Sequence, residues 1–98
     1  MVKINWSEKA RIDLINIYNY IYYDSKYYAS KTIIEIKNSS EILKLFPKAG
    51  RKIPEYNNEE FRELIYKSYR IIYEFSSTEI KIHRIWHTSR LLSKEIIS

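Results

Sequence analysis

The chain contains no cysteine, which excludes disulfide bonds, thiolate catalysis and zinc sites built on cysteine. It also has only one glycine and two prolines, so we expect a compact chain with few loose loops. No apolar run approaches the roughly 18 residues that span a bilayer, and the first residues, MVKINWSEKA, lack an apolar signal segment. These absences predict a cytoplasmic protein with no membrane contact.

Histidine is scarce as well, and the two present, His83 and His87, lie in a segment whose alternation predicts a strand. We therefore expect no metal site and no cofactor. The 98 residues predict one domain, 1–98, with a single modest core. The net charge of +5 is compatible with a nucleic-acid partner or an acidic protein partner but identifies neither.

Hydrophobic periodicity predicts a short strand over residues 2–6, then helices over 8–23 and 26–46. Ser7 is the expected N-cap of the first helix. Asp24-Ser25 separate the helices so briefly that the two should pack as an antiparallel hairpin. The residues expected on their buried faces are Ala10, Leu14, Ile17 and Ile21 in the first helix, and Ala29, Ile33, Ile36 and Leu43 in the second.

Residues 47–60 form the one long loop that the sequence predicts. Pro47 should end the second helix, and Gly50 is predicted to adopt a positive φ just beyond it. The last segment, 89–97, is predicted as no more than a frayed helix. The loop 47–60 joins the two predicted helices to the strands predicted after it.

Three strands are predicted after the loop, over 61–67, 69–75 and 80–87. Odd-numbered residues of the middle strand should face the helices, which places Arg70 on the opposite face, near the surface. A tight turn at Ser77-Thr78 would pair Tyr73 with Ile82 and Glu74 with Lys81. The order βααβββ predicts an α+β domain, with the helical hairpin on one face of an antiparallel sheet.

Four segments together, ARIDLINIYNYI, LKLFPKAGR, FRELIYKSYRIIYEF and IHRIWHTSR, resemble the RelE/ParE superfamily of toxins from type II toxin–antitoxin systems. The resemblance covers residues 7–92. It implies a helical hairpin on a twisted antiparallel sheet, a growth-inhibiting activity, and a role such as plasmid stabilisation. It also implies a cognate antitoxin whose acidic C-terminal segment wraps the toxin, and so a toxin–antitoxin hetero-oligomer.

The superfamily implies two alternative activities. RelE-like members are ribosome-dependent endoribonucleases that cut messenger RNA, whereas ParE-like members poison DNA gyrase by binding it. For a ribonuclease, the resemblance assigns phosphate binding to Arg70 and Arg90, with His87 or Glu63 as acid or base. Residues 61–63 replace the lysines of RelE-like enzymes, however, and residues 93–98 lack an aromatic side chain. These departures favour the ParE-like branch.

Each candidate residue also has a structural interpretation. Arg70 can pair with Glu63 across the sheet, and Arg62 can brace the long loop through Glu59 or Glu60. His87 can be a hydrogen-bonded strand-end residue. Arg62, Lys67 and Arg84 are the predicted partner-binding cations. The chain as a whole could also be a non-toxic basic domain that binds RNA or protein.

A cluster of tyrosines lies at the predicted tip of the helical hairpin and cannot be buried completely. It is either a contact for the antitoxin, a self-association surface, or a cover for the hairpin turn. The cluster comprises Tyr18, Tyr20, Tyr22, Tyr23, Tyr27 and Tyr28.

Overall fold

The computed structural model describes residues 2–56 and 58–88. Two helices pack on one face of a five-stranded sheet, as the α+β prediction required. The elements are β1 (Lys3–Trp6), α1 (Glu8–Tyr22), α2 (Lys26–Ser40), a 3-10 helix (Glu41–Lys44), β2 (Arg51–Lys52), β3 (Phe61–Tyr66), β4 (Tyr69–Phe75) and β5 (Glu79–His87). The 3-10 helix takes the place of the last turns predicted for the second helix.

Serine side chains start both helices. The Ser7 hydroxyl accepts a hydrogen bond from the backbone N–H of Ala10 at 3.0 Å, and the Ser25 hydroxyl accepts one from Tyr28 at 3.2 Å. Each bond satisfies an N–H group that has no partner inside the helix. The Ser7 N-cap was predicted from the sequence, because serine next to a periodic apolar pattern is a local signal.

The strands lie in the order β1-β5-β4-β3-β2. β1 pairs with β5 in parallel and the other pairs are antiparallel, so the sheet is mixed. The predicted pairs Tyr73–Ile82 and Glu74–Lys81 are confirmed. Ile72 pairs with Arg84, so β5 holds one extra residue, His83, at a bulge. The bulge shifts the register of the second half of β5 relative to β4.

The main core lies between the helices and the sheet, where Ala10, Ile36, Ile71 and Tyr73 are fully buried. The opposite face of the sheet has a second, smaller cluster. It is formed by Ile53, Ile72 and Trp86, with Tyr56 and Phe61 packed against it.

Residues 53–56, which we call the strap, supply part of the second cluster and cross the sheet face that carries Arg70. The sequence-based prediction that Arg70 lies near the surface is therefore wrong. Arg70 is 5% exposed, because the strap covers it.

The predicted positive φ at Gly50 is also wrong, since no glycine has a positive φ; Lys67, in the β3–β4 turn, has a φ of 50°. Glycine is required at position 50 for a different reason. A Cβ there would lie 2.6 Å from the carbonyl oxygen of Glu63 and 2.7 Å from the hydroxyl of Tyr73. The loop can approach the sheet this closely only without a side chain.

Within residues 2–56 and 58–88, the helices are too short or too polar to cross a bilayer. The predicted terminal segment, 89–97, and with it the candidate residue Arg90, lie outside the described residues.

Candidate functional site

Glu63 and Arg70 form a buried ion pair on the face of the sheet opposite the helices. In the β3–β4 register Glu63 lies opposite Ile72, two residues from Arg70, so both side chains lie on this face. Arg70 Nε donates to Glu63 Oε1 at 2.5 Å, and Arg51 Nε donates to the second oxygen, Oε2, at 2.5 Å. Glu63 is only 1% exposed. Its buried charge is therefore compensated by two arginines.

Glu55, from the strap, binds the other edge of the Arg70 guanidinium. Arg70 Nη1 donates to Glu55 Oε2 and Nη2 donates to Oε1, both at 3.0 Å. These two parallel bonds form the forked geometry that suits arginine and a carboxylate. The hydrogen bonds that Arg70 donates to Glu55 raise the pKa of Arg70, burial opposes this, and Glu63 raises the pKa further. The guanidinium thus stays charged and is held between two carboxylates.

These contacts limit the catalytic roles that the ribonuclease alternative assigns to Arg70 and Glu63. An arginine that stabilises a phosphorane must present its N–H groups to the substrate. Here Arg70 directs donors at Glu55 and Glu63. Glu63 accepts bonds from Arg51 and Arg70 and is closed to solvent, so a substrate hydroxyl cannot reach it. The arrangement fastens the strap to the sheet.

His87, the remaining candidate base among the described residues, is exposed at the end of β5. Its ring lies 6.1 Å from that of Tyr69, edge to face. Tyr69 is its register partner on β4, and Trp86 is the register partner of Arg70. Because neighbouring residues of a strand point to opposite faces, His87 and Arg70 extend from opposite sides of the sheet.

The predicted binding cations have protein partners. Arg62 Nε donates to the carbonyl oxygen of Glu59 at 3.0 Å, which confirms the predicted bracing of the loop. Lys67 is a turn residue whose Nζ lies 3.7 Å from a carboxylate oxygen of Glu35. Lys67 is the more exposed of these two cations, so it remains accessible to a partner.

Arg84, the third predicted cation, is joined to α1. Its Nε and Nη2 donate to the two oxygens of Asp13 at 2.8 and 3.0 Å. Asp13 also accepts the backbone N–H of Ile85 at 3.0 Å. The sequence did not predict this pairing of Asp13 with Arg84. The pairing spans 71 residues, and no local pattern reports it.

An open groove of about 930 Å³ lies between β1, α1 and α2. Its wall is apolar because β1, an outer strand of the sheet within the described part of the chain, meets the helices there. Four cations, Lys3, Arg11, Lys37 and Lys44, also line it, together with one carboxylate, Glu41. The main apolar residues of the groove are Val2, Ile4, Trp6, Leu14, Ile15 and Ile33.

The tyrosines at the tip of the hairpin are mostly exposed, as expected. Tyr23 is 93% exposed, and Tyr18 alone of the cluster is half-buried. Two ring contacts, Tyr18–Tyr22 at 5.6 Å and Tyr27–Tyr28 at 5.2 Å, cover part of their area. The rings therefore pack locally and leave an aromatic surface at this end of the molecule.

Comparisons with known proteins identify the family. The model of the ParE toxin of type II toxin–antitoxin systems, parDE, matches residues 4–92. The chain belongs to the ParE toxin family. A solved structure described as the chromosomal ParDE TA system from P. aeruginosa has the same fold, with a TM-score of 0.74 and 24% sequence identity. The match covers 89% of this chain and 96% of that one. No curated protein sequence matches.

Membership of the ParE family confirms the superfamily suggested by the sequence motifs and the branch favoured by residues 61–63. The matched range includes both helices and all five strands except the first residue of β1. The chain is thus a ParE-family toxin domain that belongs with an antitoxin.

Proposed function

We propose that this ParE-family toxin arrests growth by binding and poisoning DNA gyrase, with no RNA-cutting chemistry of its own. The observation that carries the proposal is the burial of Arg70 and Glu63 beneath the strap. A ribonuclease needs these groups, or others in their place, open to a phosphodiester. In this chain both are engaged in holding the fold together. Gyrase as the target places its action in the cytoplasm.

The antitoxin should bind the groove between β1, α1 and α2. An acidic C-terminal segment with an apolar face would bury the exposed part of Trp6 and Ile33, while its carboxylates met Arg11, Lys37 and Lys44. The toxin's net charge of +5 favours such a partner at longer range. The result would be a toxin–antitoxin hetero-oligomer.

Expression in a bacterial host tests the proposed toxicity. Induction of this chain alone should stop growth, and co-expression of the antitoxin should restore it. Normal growth with soluble, cooperatively melting protein present would contradict the proposal. That outcome would favour the alternative of a non-toxic basic domain that binds RNA or protein.

A charge-reversal pair tests the antitoxin groove. Lys37→Glu changes the groove, whereas Lys26→Glu makes the same change on the same helix outside it. Lys37→Glu should weaken antitoxin binding at least about tenfold, which corresponds to about 1.4 kcal/mol. Equal affinities of Lys37→Glu and Lys26→Glu for the antitoxin, measured by calorimetry, would exclude the groove as its binding site.

A further inference from the structure

The strap closes a sheet face whose composition suits single-stranded nucleic acid. On this face the Arg84 guanidinium, which Asp13 of α1 holds from one side, lies over the ring of Trp86, with its Cζ 5.1 Å from the ring centroid. Phe61 contacts the rings of Tyr56 and His83, at 6.3 and 5.7 Å between centroids. Aromatic rings interleaved with arginines are what such surfaces use to stack bases and bind phosphates.

Arg70 lies in the middle of this face, opposite Trp86 in the β4–β5 register. The Glu55 carboxylate binds it through two parallel bonds of 3.0 Å. A carboxylate and a phosphate present the same pair of oxygens to a guanidinium, and arginine binds both through the same fork. Glu55 therefore occupies the position that a phosphodiester would need.

We propose that Glu55 is a specificity-determining residue, which keeps phosphodiesters of single-stranded nucleic acid off the sheet by occupying Arg70. The strap thereby restricts this toxin to a protein target. Glu55 excludes nucleic acid from the sheet in this way whether or not gyrase is that target.

Two separate contacts keep the strap closed. Glu55 is the polar one, and its side chain is 20% exposed, so solvent reaches the edge of the ion pair. Ile53 is the apolar one, 1% exposed and packed with Ile72 and Trp86. A polynucleotide must displace both contacts to reach Arg70. Weakening the polar contact alone should therefore raise its affinity without removing the apolar anchor.

Glu55→Gln and Glu59→Gln form the matched test. Both remove one negative charge from the loop 47–60, but Glu59 is exposed and pairs with Lys52 rather than Arg70. Binding of a fluorescent oligouridylate is measured by anisotropy over a range of salt concentrations. Glu55→Gln should bind at least about tenfold more tightly than Glu59→Gln. Its log–log salt slope should be steeper by about 0.7, the value for one added phosphate contact on a single strand. Equal affinities would overturn the proposal.

A charge-conserving pair covers the case in which Glu55→Gln does not melt cooperatively. Glu55→Asp keeps the net charge but shortens the side chain by one methylene, and Glu59→Asp is its control. Glu55→Asp should bind the oligouridylate more tightly than Glu59→Asp, and equality would again overturn the proposal.

Arg70→Lys tests whether the gain in oligouridylate affinity comes from the two parallel hydrogen bonds that Arg70 can donate to a phosphate. Lysine keeps the charge but cannot bind a phosphate through two parallel N–H groups. Adding Arg70→Lys to Glu55→Gln should remove most of the gain in oligouridylate affinity. Retention of the whole gain would show that another cation binds the phosphate, against the assignment to Arg70.

Discussion

Tyr73 and Gly50 are in direct contact where the long loop meets the sheet. The backbone N–H of Gly50 donates to the Tyr73 hydroxyl at 2.9 Å, and that hydroxyl donates to the carbonyl oxygen of Pro47 at 2.7 Å. Tyr73 is fully buried in the main core. One side chain of the core thus positions the start of the segment that leads to β2 and the strap.

Gly50→Ala should destabilise the fold. The added methyl would lie 2.6 Å from the carbonyl oxygen of Glu63, a backbone atom that moves only with β3. We expect a loss of about 1–3 kcal/mol, typical of overpacking, measured by urea unfolding. Ala49→Ser, at the exposed neighbouring position, is the control. If the two variants were equally stable, the close approach at Gly50 would not be a constraint on the fold.

Stability should fall at alkaline pH, in part because of Tyr73. Burial raises the pKa of Tyr73 above its ordinary value of 10.0, although the hydrogen bond from Gly50 and the charge of Arg62 oppose this. The unfolded state therefore loses the proton at a lower pH than the folded state. The stability that the protonated Tyr73 hydroxyl contributes is complete below about pH 10, the pKa of tyrosine in the unfolded state. It is lost as the pH rises from there through the pKa of Tyr73 in the folded state.

Tyr73→Phe tests this pH dependence. The variant should be less stable at neutral pH, because Gly50 and Pro47 lose a partner, at a cost of about 1–3 kcal/mol. Its stability should then fall less steeply than that of wild type as the pH rises above about 10. Some fall should remain, since burial also raises the pKa values of Tyr56 and Tyr69. The same slope in Tyr73→Phe and in wild type would count against Tyr73.

Arg70→Ala should act through folding. It leaves the buried Glu63 with Arg51 alone and frees Glu55 from the sheet, so we expect a loss of about 3–5 kcal/mol. Lys52→Ala breaks an exposed ion pair in the same loop and should change the melting temperature little. Growth inhibition should fall only as far as the folded fraction falls. Loss of toxicity with an unchanged melting curve would instead mean that Arg70 contacts the target.

Much of the fold could be predicted because its signals are local. Ser7 next to an apolar helical pattern indicates an N-cap, and alternation in β4 assigns Tyr73 to the core. The turn at Ser77-Thr78 fixes the register of β4 and β5 near it. The Glu63–Arg70 pair was one of the two interpretations that the sequence left open for Arg70, and the structure contains it. These features depend on residues close in sequence or on strands joined by a short turn.

The strap could not be predicted, because its contacts depend on where a polar loop returns to the sheet. Ile53 and Glu55 lie among prolines and charges, a composition typical of exposed loops. Their partners Trp86 and Arg70 lie on strands that come later in the chain. The alternation in β4 shows which of its residues face the helices, but it cannot show whether a loop covers the opposite face of the sheet. For the same reason the sequence placed Arg70 near the surface. The parallel pairing of β1 with β5 is a long-range feature too.

The most direct test of the central claim uses purified components. The chain is incubated with DNA gyrase, ATP and supercoiled plasmid, and gyrase-linked double-strand breaks are measured on gels. The same toxin bound to its antitoxin is the control. In parallel, messenger RNA from induced cells is mapped by primer extension. We expect breaks that depend on gyrase and on free toxin, with no new messenger RNA ends. Codon-positioned cuts in translated messages, without gyrase-linked breaks, would contradict the account and identify a ribonuclease.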